Sequence, residues 1–133
     1  MNREIKFRVY DTDSKIMRYL NGEHDYICFD DNGNGYYHNM QTGLGEWFSD
    51  LMQYTGLKDK NGIEIYEGDI VKYTYFGEDG ERKEYEPKKG VVNFKKNGWH
   101  INSKFLDGFT MKMFTFEVIG NIYESEVTND NYN

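Results

Sequence analysis

Residues 51–73, LMQYTGLKDKNGIEIYEGDIVKY, decide the fold of this chain. Apolar and polar residues alternate on both sides of residues 59–62 (DKNG), and that tetrapeptide has the composition of a tight turn. A second reversal at residues 66–69 leads into residues 70–76, a β-branched and aromatic run that favours a strand. The stretch therefore predicts short strands joined by close turns.

The segments before this stretch show the same pattern. Residues 4–20 predict a hairpin that turns at DTDS (11–14), and residues 25–40 predict a second hairpin that turns at DDNGNG (30–35). Asp, Asn, Ser and Gly favour such turns because their side chains bond the nearby backbone or because they tolerate positive φ. The N-terminal part is therefore expected to consist of small hairpins.

The segments after it also predict strands. Residues 90–101 predict a hairpin with KKNG (95–98) in its loop, and residues 114–123 predict closing strands with a bulge or bend at Gly120. The charged segment 77–89, which holds the only proline, predicts an exposed mobile loop, and residues 125–133 predict a flexible tail.

No segment shows helical periodicity over about 11 residues. We therefore predict a mainly β protein, a small barrel or sandwich of short antiparallel hairpins with at most short helical turns. Two segments, 41–51 and 102–113, stay ambiguous; residues 46–51 fit either a helical turn or the opening of a strand. We expect a single domain over residues 1–124, with sub-units at 1–50 and 51–124, the second an SH3-like barrel.

Composition excludes several classes of protein. An aromatic content of 17% in 133 residues argues against disorder, and the net charge of -7 argues against a general nucleic-acid binder. Cys28 is alone, so we expect a reducing, cytoplasmic setting and a place for this thiol in the core. The N-terminus lacks an apolar signal region, and no apolar run approaches the ~18 residues of a membrane span.

Three blocks of the sequence resemble the YopX family: KFRVYD at 6–11, LMQYTGLKDKNGIEIYEGDIV at 51–71 and FEVIGNIYE at 116–124. They occur in the family's order and spacing, and the resemblance covers about residues 3–124. Tyr10 is one departure, because the family usually has Trp there. YopX proteins are small proteins found mainly in phages and prophages of Gram-positive and related bacteria, without an established activity, cofactor or catalytic residue. The resemblance thus implies a β-rich, cytoplasmic phage or prophage protein that assembles with itself.

One turn resembles half of a calcium-binding loop. Asp30, Asn32 and Asn34 place oxygen ligands at positions 1, 3 and 5, and Gly35 follows them. Gln41 stands where a bidentate Glu is needed, and the flanking residues predict strands instead of helices. We interpret the segment as a plain hairpin turn.

The other polar candidates also have structural explanations. Carboxylates can perform acid–base chemistry in a cleft of low dielectric. We expect instead that Asp11, Asp13, Asp59 and the amide Asn61 belong to turns, where solvent screens them. Glu67 and Asp69 are expected to bond the backbone where a strand begins. The three histidines, His24, His38 and His100, lack ligand spacing, and we predict ordinary surface or turn positions. The sequence thus predicts no catalytic residue, cofactor or metal.

The basic segment 82–104 is the strongest candidate for a contact surface. It holds seven basic and two acidic side chains, with aromatic residues among them. Lysines with interleaved aromatics suit single-stranded nucleic acid, since lysine pairs with phosphate and bases stack on rings. The alternative is a solvated charged loop with Trp99 in the core. The candidate contact residues for nucleic acid or a protein partner are Lys88, Lys89, Lys95, Lys96 and Trp99.

Taken together, these features favour a non-enzymatic protein that acts through protein–protein contacts. We expect a homo-oligomer in the cytoplasm, with a phage or host protein as a further partner. Single-stranded nucleic-acid binding through residues 82–104 is the alternative and is not favoured. An enzyme would require convergent polar groups in a pocket, and no motif indicates them.

Overall fold

A computed structural model describes residues 4–20, 25–39, 48–76, 86–96 and 98–124. Strands make up 59% of these described residues, and they include one short helix. The sheets are antiparallel and curled, which confirms the predicted fold class. The chain divides into two compact units, Met1–Tyr54 and Thr55–Asn133. No helix among the described residues is both long enough and apolar enough to cross a membrane.

The unit Met1–Tyr54 contains two antiparallel hairpins. Its strands are β1 (Phe7–Asp11), β2 (Ile16–Tyr19), β3 (Asp25–Phe29), β4 (Gly35–Asn39) and the beginning of β5 (Met52–Lys58). The first hairpin pairs β1 with β2, the second pairs β3 with β4, and β1 also pairs with β5 at Phe7↔Gln53 and Arg8↔Met52. Both predicted N-terminal hairpins are therefore confirmed. Of the ambiguous segment 41–51, residues 41–47 lie outside the described residues. Residues 48–51 form neither a helical turn nor a strand, although Phe48 makes an isolated bridge with Asp11.

The carboxylate of Asp11 organises the first turn. Its Oδ1 accepts hydrogen bonds from the backbone N–H of Asp13 (3.0 Å) and Ser14 (3.1 Å), and its Oδ2 pairs with Arg18 Nε at 3.0 Å. Asp11 is only 7% exposed. The prediction that solvent screens this carboxylate was wrong, because the turn backbone and the Arg18 guanidinium enclose it.

The unit Thr55–Asn133 contains a five-stranded antiparallel sheet in the order β10-β9-β8-β7-β11. Its elements are the rest of β5, β6 (Glu64–Tyr66), β7 (Asp69–Tyr75), β8 (Lys88–Lys95), β9 (Gly98–Ile101), β10 (Lys104–Phe105), α1 (Gly108–Met113) and β11 (Phe114–Asn121). The register of β11 on β7 shifts between Val118 and Gly120, which confirms the predicted irregularity at Gly120.

Asp59 fixes the turn between β5 and β6. Its Oδ1 accepts from the backbone N–H of Asn61 (2.8 Å) and Ile63 (2.9 Å), while Gly62 takes a φ of 81°. Its Oδ2 accepts from Val118 N–H at 2.9 Å, so the turn is tied to β11. Asp59 is also only 7% exposed, which corrects the prediction of a solvent-screened turn carboxylate.

Asp69 plays the backbone-bonding role expected at the start of β7. Its Oδ2 accepts from the backbone N–H of Tyr66 at 2.7 Å, and the side chain is buried. Gly68 between them has a φ of 87°, a conformation that favours glycine.

One face of the sheet carries the core of this unit. Alternate residues of neighbouring strands meet there, as the period of two in a strand requires. The buried cluster consists of Ile65, Val71, Tyr73, Val92, Ile101, Leu106 and Phe116. Each such side chain contributes about 1.5–3 kcal/mol when fully buried.

The structure corrects the prediction for one segment and defines another that the sequence left ambiguous. Strand β8 begins at Lys88, so the expected loop over 77–89 is wrong at its end; Lys88 and Lys89 pair with Tyr73 and Lys72 of β7, and this pairing outweighs their low strand propensity. The rest of that loop, 77–85, lies outside the described residues, as does the predicted tail. The ambiguous segment 102–113 forms β10 and α1, whose N-cap Asp107 accepts from Thr110 N–H at 2.8 Å.

Candidate ligand-binding pocket

A pocket of about 270 Å³ lies at one end of the apolar sheet face, where β7, β8 and β11 meet. Three aromatic rings and three charged side chains line it: Tyr73, Tyr75, Phe114, Glu86, Lys88 and Lys104. All six belong to the unit Thr55–Asn133.

Strand register brings the aromatic rings together. Tyr73 and Tyr75 are two residues apart on β7, so both point to the same face. Phe114 of β11 pairs with Tyr75, and its ring centroid lies 5.2 Å from that of Tyr75 and 5.9 Å from that of Tyr73. The rings are tilted by 58–59°, a geometry in which aromatic contacts are favourable. The pocket thus has a wall of three packed rings.

Two ammonium groups border this wall. Lys88 pairs with Tyr73 across the strands, and Lys104 Nζ lies 4.4 Å from the Phe114 ring centroid in a cation–π contact. Among the described residues, Glu86 supplies a carboxylate to the lining. Within the described part of the chain, neither lysine forms a salt bridge, whereas Lys72 on the other face pairs with Glu117 at 3.1 Å. The described part of the lining therefore carries two ammonium groups and one carboxylate.

The five contact residues predicted from sequence do not form one cluster. Only Lys88 lines the pocket. Lys89 is its neighbour on β8 and lies on the opposite face, across from Lys72. Lys95 and Lys96 lie at the other end of the β8–β9 hairpin, about 23 Å away for seven residues of strand.

Trp99 contacts the core instead of forming an open platform. It is half-buried, packs against the core cluster, and meets Phe94 edge-on with ring centroids 5.0 Å apart. Phe94 itself is exposed beside the hairpin tip. The contact roles of Lys89, Lys95, Lys96 and Trp99 stay predictions.

The β3–β4 hairpin presents a second candidate surface. Tyr26 pairs with His38 and Cys28 pairs with Tyr36, so these four side chains share one face of the hairpin. Tyr26 is 48% exposed and Tyr36 is 46% exposed. Cys28 is half-buried there, so its predicted place in the core is only partly realised.

The other face of this hairpin borders a wider cleft. The cleft has a volume of about 550 Å³ and is lined by Phe7, Ile27, Phe29, Asn34, Gly35, Asp50 and Leu51. Gly35 packs closely here, because an added Cβ would lie 3.3 Å from Leu51 Cδ1. Phe29 is 70% exposed although it lines the cleft. The hairpin therefore exposes aromatic residues on both faces.

The turn of this hairpin uses the residues that resembled a calcium loop. Asp30 Oδ1 accepts from the backbone N–H of Asn32 and Asn34, both at 2.9 Å. The bond from Asn34 is the main reason that the pKa of Asp30 lies below its ordinary value. Strands flank the turn on both sides, as predicted. Among the described residues, no group of three or more His, Cys, Asp or Glu side chains could hold a metal ion.

The histidines differ from one another in position. His100 is buried in β9, with Nδ1 3.1 Å from the carbonyl oxygen of Gly98 and the ring 5.3 Å from that of Phe105. The prediction of a surface or turn histidine was wrong for His100, because Phe105 on the neighbouring strand covers it. His38 is half-buried in β4, and His24 lies outside the described residues.

Comparison with known proteins gives the family. The family model described as "YopX protein" matches residues 6–127. The chain belongs to the YopX family. No curated protein matches the chain.

Two solved structures share the fold of this YopX-family protein. Protein EF1440 from Enterococcus faecalis is 24% identical, with a TM-score of 0.61 over 92% of this chain and 96% of that one. Protein yopX from Bacillus subtilis is 20% identical, with a TM-score of 0.60 over 90% of this chain and 94% of that one. At these identities the likeness shows the fold alone.

Sequence reasoning missed most of the pocket in this YopX-family protein. The sequence predicts only strands for Tyr73, Tyr75 and Phe114, and only a basic segment for Lys104. The available signal was the aromatic residue at every second position of two strands, which places the rings on one face. The pairing of β7 with β11 brings these rings together, and sequence spacing does not reveal that pairing.

Proposed function

We propose that this YopX-family protein is a non-enzymatic binding protein that assembles with a second copy of itself through the β3–β4 hairpin. We further propose that it works in the cytoplasm of a bacterium that carries a phage or prophage. The family membership and the single cysteine support this setting.

The exposed aromatic residues of the hairpin carry the proposal. Tyr26 and Tyr36 are exposed on one face, and Phe29 is exposed on the other. A two-stranded hairpin is marginally stable in water, and an apolar patch on its surface is typical of an interaction site. Aromatic residues are also enriched in protein interfaces.

The absence of charge on one face favours a second copy as the partner. The face formed by Tyr26, Cys28, Tyr36 and His38 has no formal charge while histidine is neutral, although the chain carries -7. Two identical acidic surfaces would repel each other, whereas two copies of this face would not. A twofold dimer needs such a self-complementary patch.

Light scattering coupled to size-exclusion chromatography tests this proposal. We expect the wild-type protein to approach twice the 15.8 kDa chain mass as its concentration rises. The double variant Tyr26→Ser/Tyr36→Ser should remain monomeric, while Phe109→Ser, which removes an exposed ring from α1, should behave like the wild type. A wild-type monomer at high concentration would contradict the proposal.

Single-stranded nucleic-acid binding is the second candidate function. The observation that favours it is the position of Lys88 and Lys104 beside three aromatic rings. Fluorescence anisotropy with a labelled single-stranded oligonucleotide should show affinity that falls as salt rises, because bound lysines displace counterions. Lys95→Glu/Lys96→Glu should weaken binding at low salt if the hairpin tip also contributes. Absence of any salt-dependent binding would eliminate this candidate.

A further inference from the structure

We infer that the pocket of Tyr73, Tyr75 and Phe114 binds a nucleobase that carries a phosphate group. The inference deepens the second candidate function and rests on it. The ligand could be one nucleotide of a single strand or a free nucleotide, since both offer the same base and phosphate.

The aromatic wall suits a flat ring. Tyr75 and Phe114 are half-buried and in contact with each other, so both rings are held by the sheet and still face the cavity. Bases stack on such rings with little dependence on their identity, because every base has a π-face. A wall that is ordered before binding loses little conformational entropy when the ligand arrives.

The size of the pocket limits the ligand to one base. Pockets for drug-sized molecules measure about 300–1,000 Å³. At about 270 Å³ this pocket lies just below that range, and its volume suits a single base. The rest of a longer strand would have to run along the outside.

The charges around the rings match a phosphate attached to the base. Lys88 and Lys104 both line the cavity, and neither is held in a salt bridge within the described residues. Glu86 would repel a phosphate close to it, but its carboxylate can accept a hydrogen bond from an amino group on a base edge. The three charges therefore favour an amino-bearing base whose phosphate lies on the lysine side. An acidic peptide fits less well, because Glu86 would repel its carboxylates.

Isothermal titration calorimetry at low salt tests the inference with cytidine monophosphate, cytidine and inorganic phosphate as separate ligands. Cytidine monophosphate should bind at least about tenfold more tightly than either fragment, because only it uses both rings and lysines. A short oligo-dC strand, measured by anisotropy, distinguishes the strand from the free nucleotide. Binding of only the strand or of only the nucleotide would in either case support the pocket, and it would show whether the ligand is a strand or a free nucleotide.

Adjacent lysines on β8 provide the matched control. Lys88→Gln should weaken binding about tenfold, and Lys89→Gln, which removes the same charge from the opposite face, should leave it within about twofold. Tyr75→Leu should weaken binding about 5- to 100-fold, while Tyr75→Phe should restore most of it because the ring remains. Circular dichroism would confirm that each variant is folded.

Three results would overturn the inference. The first is that neither cytidine monophosphate nor oligo-dC binds. The second is an equal loss of affinity in Lys88→Gln and Lys89→Gln, which would indicate a general attraction between charges. The third is oligonucleotide binding that depends on Lys95 and Lys96 but not on Lys88 or Tyr75. In that last case the pocket would be excluded while nucleic-acid binding remained, so the two failures are distinguishable.

Discussion

At the scale of single residues, Asp59 joins a turn to a strand that is distant in sequence. Its two oxygens accept three backbone N–H groups, from Asn61, Ile63 and Val118. Burial raises the pKa of Asp59. The hydrogen bonds, that from Val118 foremost, lower it by more than burial raises it, so the pKa lies below its ordinary value of 3.8. The charged carboxylate is therefore the form that the folded protein stabilises.

Replacing this carboxylate should destabilise the protein. In Asp59→Asn one oxygen becomes an amide nitrogen, which cannot accept a hydrogen bond, so at least one buried N–H loses its partner. We expect a loss of about 1–3 kcal/mol in the free energy of unfolding, measured by urea denaturation. Asp30→Asn is the matched control, because Asp30 makes a similar turn in solvent and its replacement should cost less. Equal losses in the two variants would contradict this role for Asp59.

The lowered pKa of Asp59 also predicts a dependence of stability on pH. Because its pKa is lower in the folded than in the unfolded protein, its contribution is complete above about pH 4 and is lost as the pH falls through the folded-state value. The urea midpoint of the wild type should therefore fall as the pH is lowered from about 4 through the folded-state pKa of Asp59. In Asp59→Asn the urea midpoint should fall less over the same pH range. Part of the fall should remain, because the pKa of Asp11 is also lowered in the folded protein. An unchanged slope would show that Asp59 does not contribute.

At the scale of elements, Gly98 of β9 leaves room for the Phe105 ring of β10. A Cβ added to Gly98 would lie 2.2 Å from Cε1 of Phe105, the ring that also covers His100. Gly98→Ala should push this ring away and cost about 1–3 kcal/mol in unfolding free energy, measured as a fall in Tm. Gly108→Ala, where nothing lies within 4 Å of the added Cβ, should be neutral or slightly stabilising. A tolerated Gly98→Ala would contradict the close packing.

The elements show what local sequence can and cannot predict. The turns at Asp11, Asp30 and Asp59 were found because the bonds that form them lie within a few residues. Gly98 was assigned to a loop for its Asn-Gly pair, whereas its contact with Phe105 depends on the pairing of two strands. Burial of Asp59 escaped prediction for the same reason, since Val118 is 59 residues away.

The candidate pocket was less predictable than the fold. Its aromatic wall joins Tyr75 to Phe114 through the β7–β11 register, and a single sequence does not encode that register in any local pattern. The basic segment was visible in the composition, but strand geometry places Lys88 and Lys89 on opposite faces of β8 and Lys95 at its other end. Of the predicted contact residues, the structure places Lys88 alone at the pocket.

At the scale of the whole molecule, stability should differ between the two units. The hydrophobic cluster of buried residues lies in Thr55–Asn133, where Val71 and Val92 are almost completely buried on the inner strands β7 and β8. The β3–β4 hairpin of the other unit forms a two-stranded sheet with exposed rings. Native-state hydrogen exchange should therefore find the slowest amides in β7 and β8, and exchange at least about 100-fold faster in β3 and β4 at low protein concentration.

The same measurement connects this difference in stability to the proposed assembly. If two copies meet through the hairpin, raising the protein concentration should slow exchange in β3 and β4 and leave β7 and β8 unchanged, because association protects only the amides it covers or stabilises. The Tyr26→Ser/Tyr36→Ser variant should lose this concentration dependence and retain the slow exchange of β7 and β8. Exchange in β3 and β4 that is slow at every concentration would contradict the predicted weakness of the hairpin. Fast exchange that no concentration slows would instead contradict assembly through it.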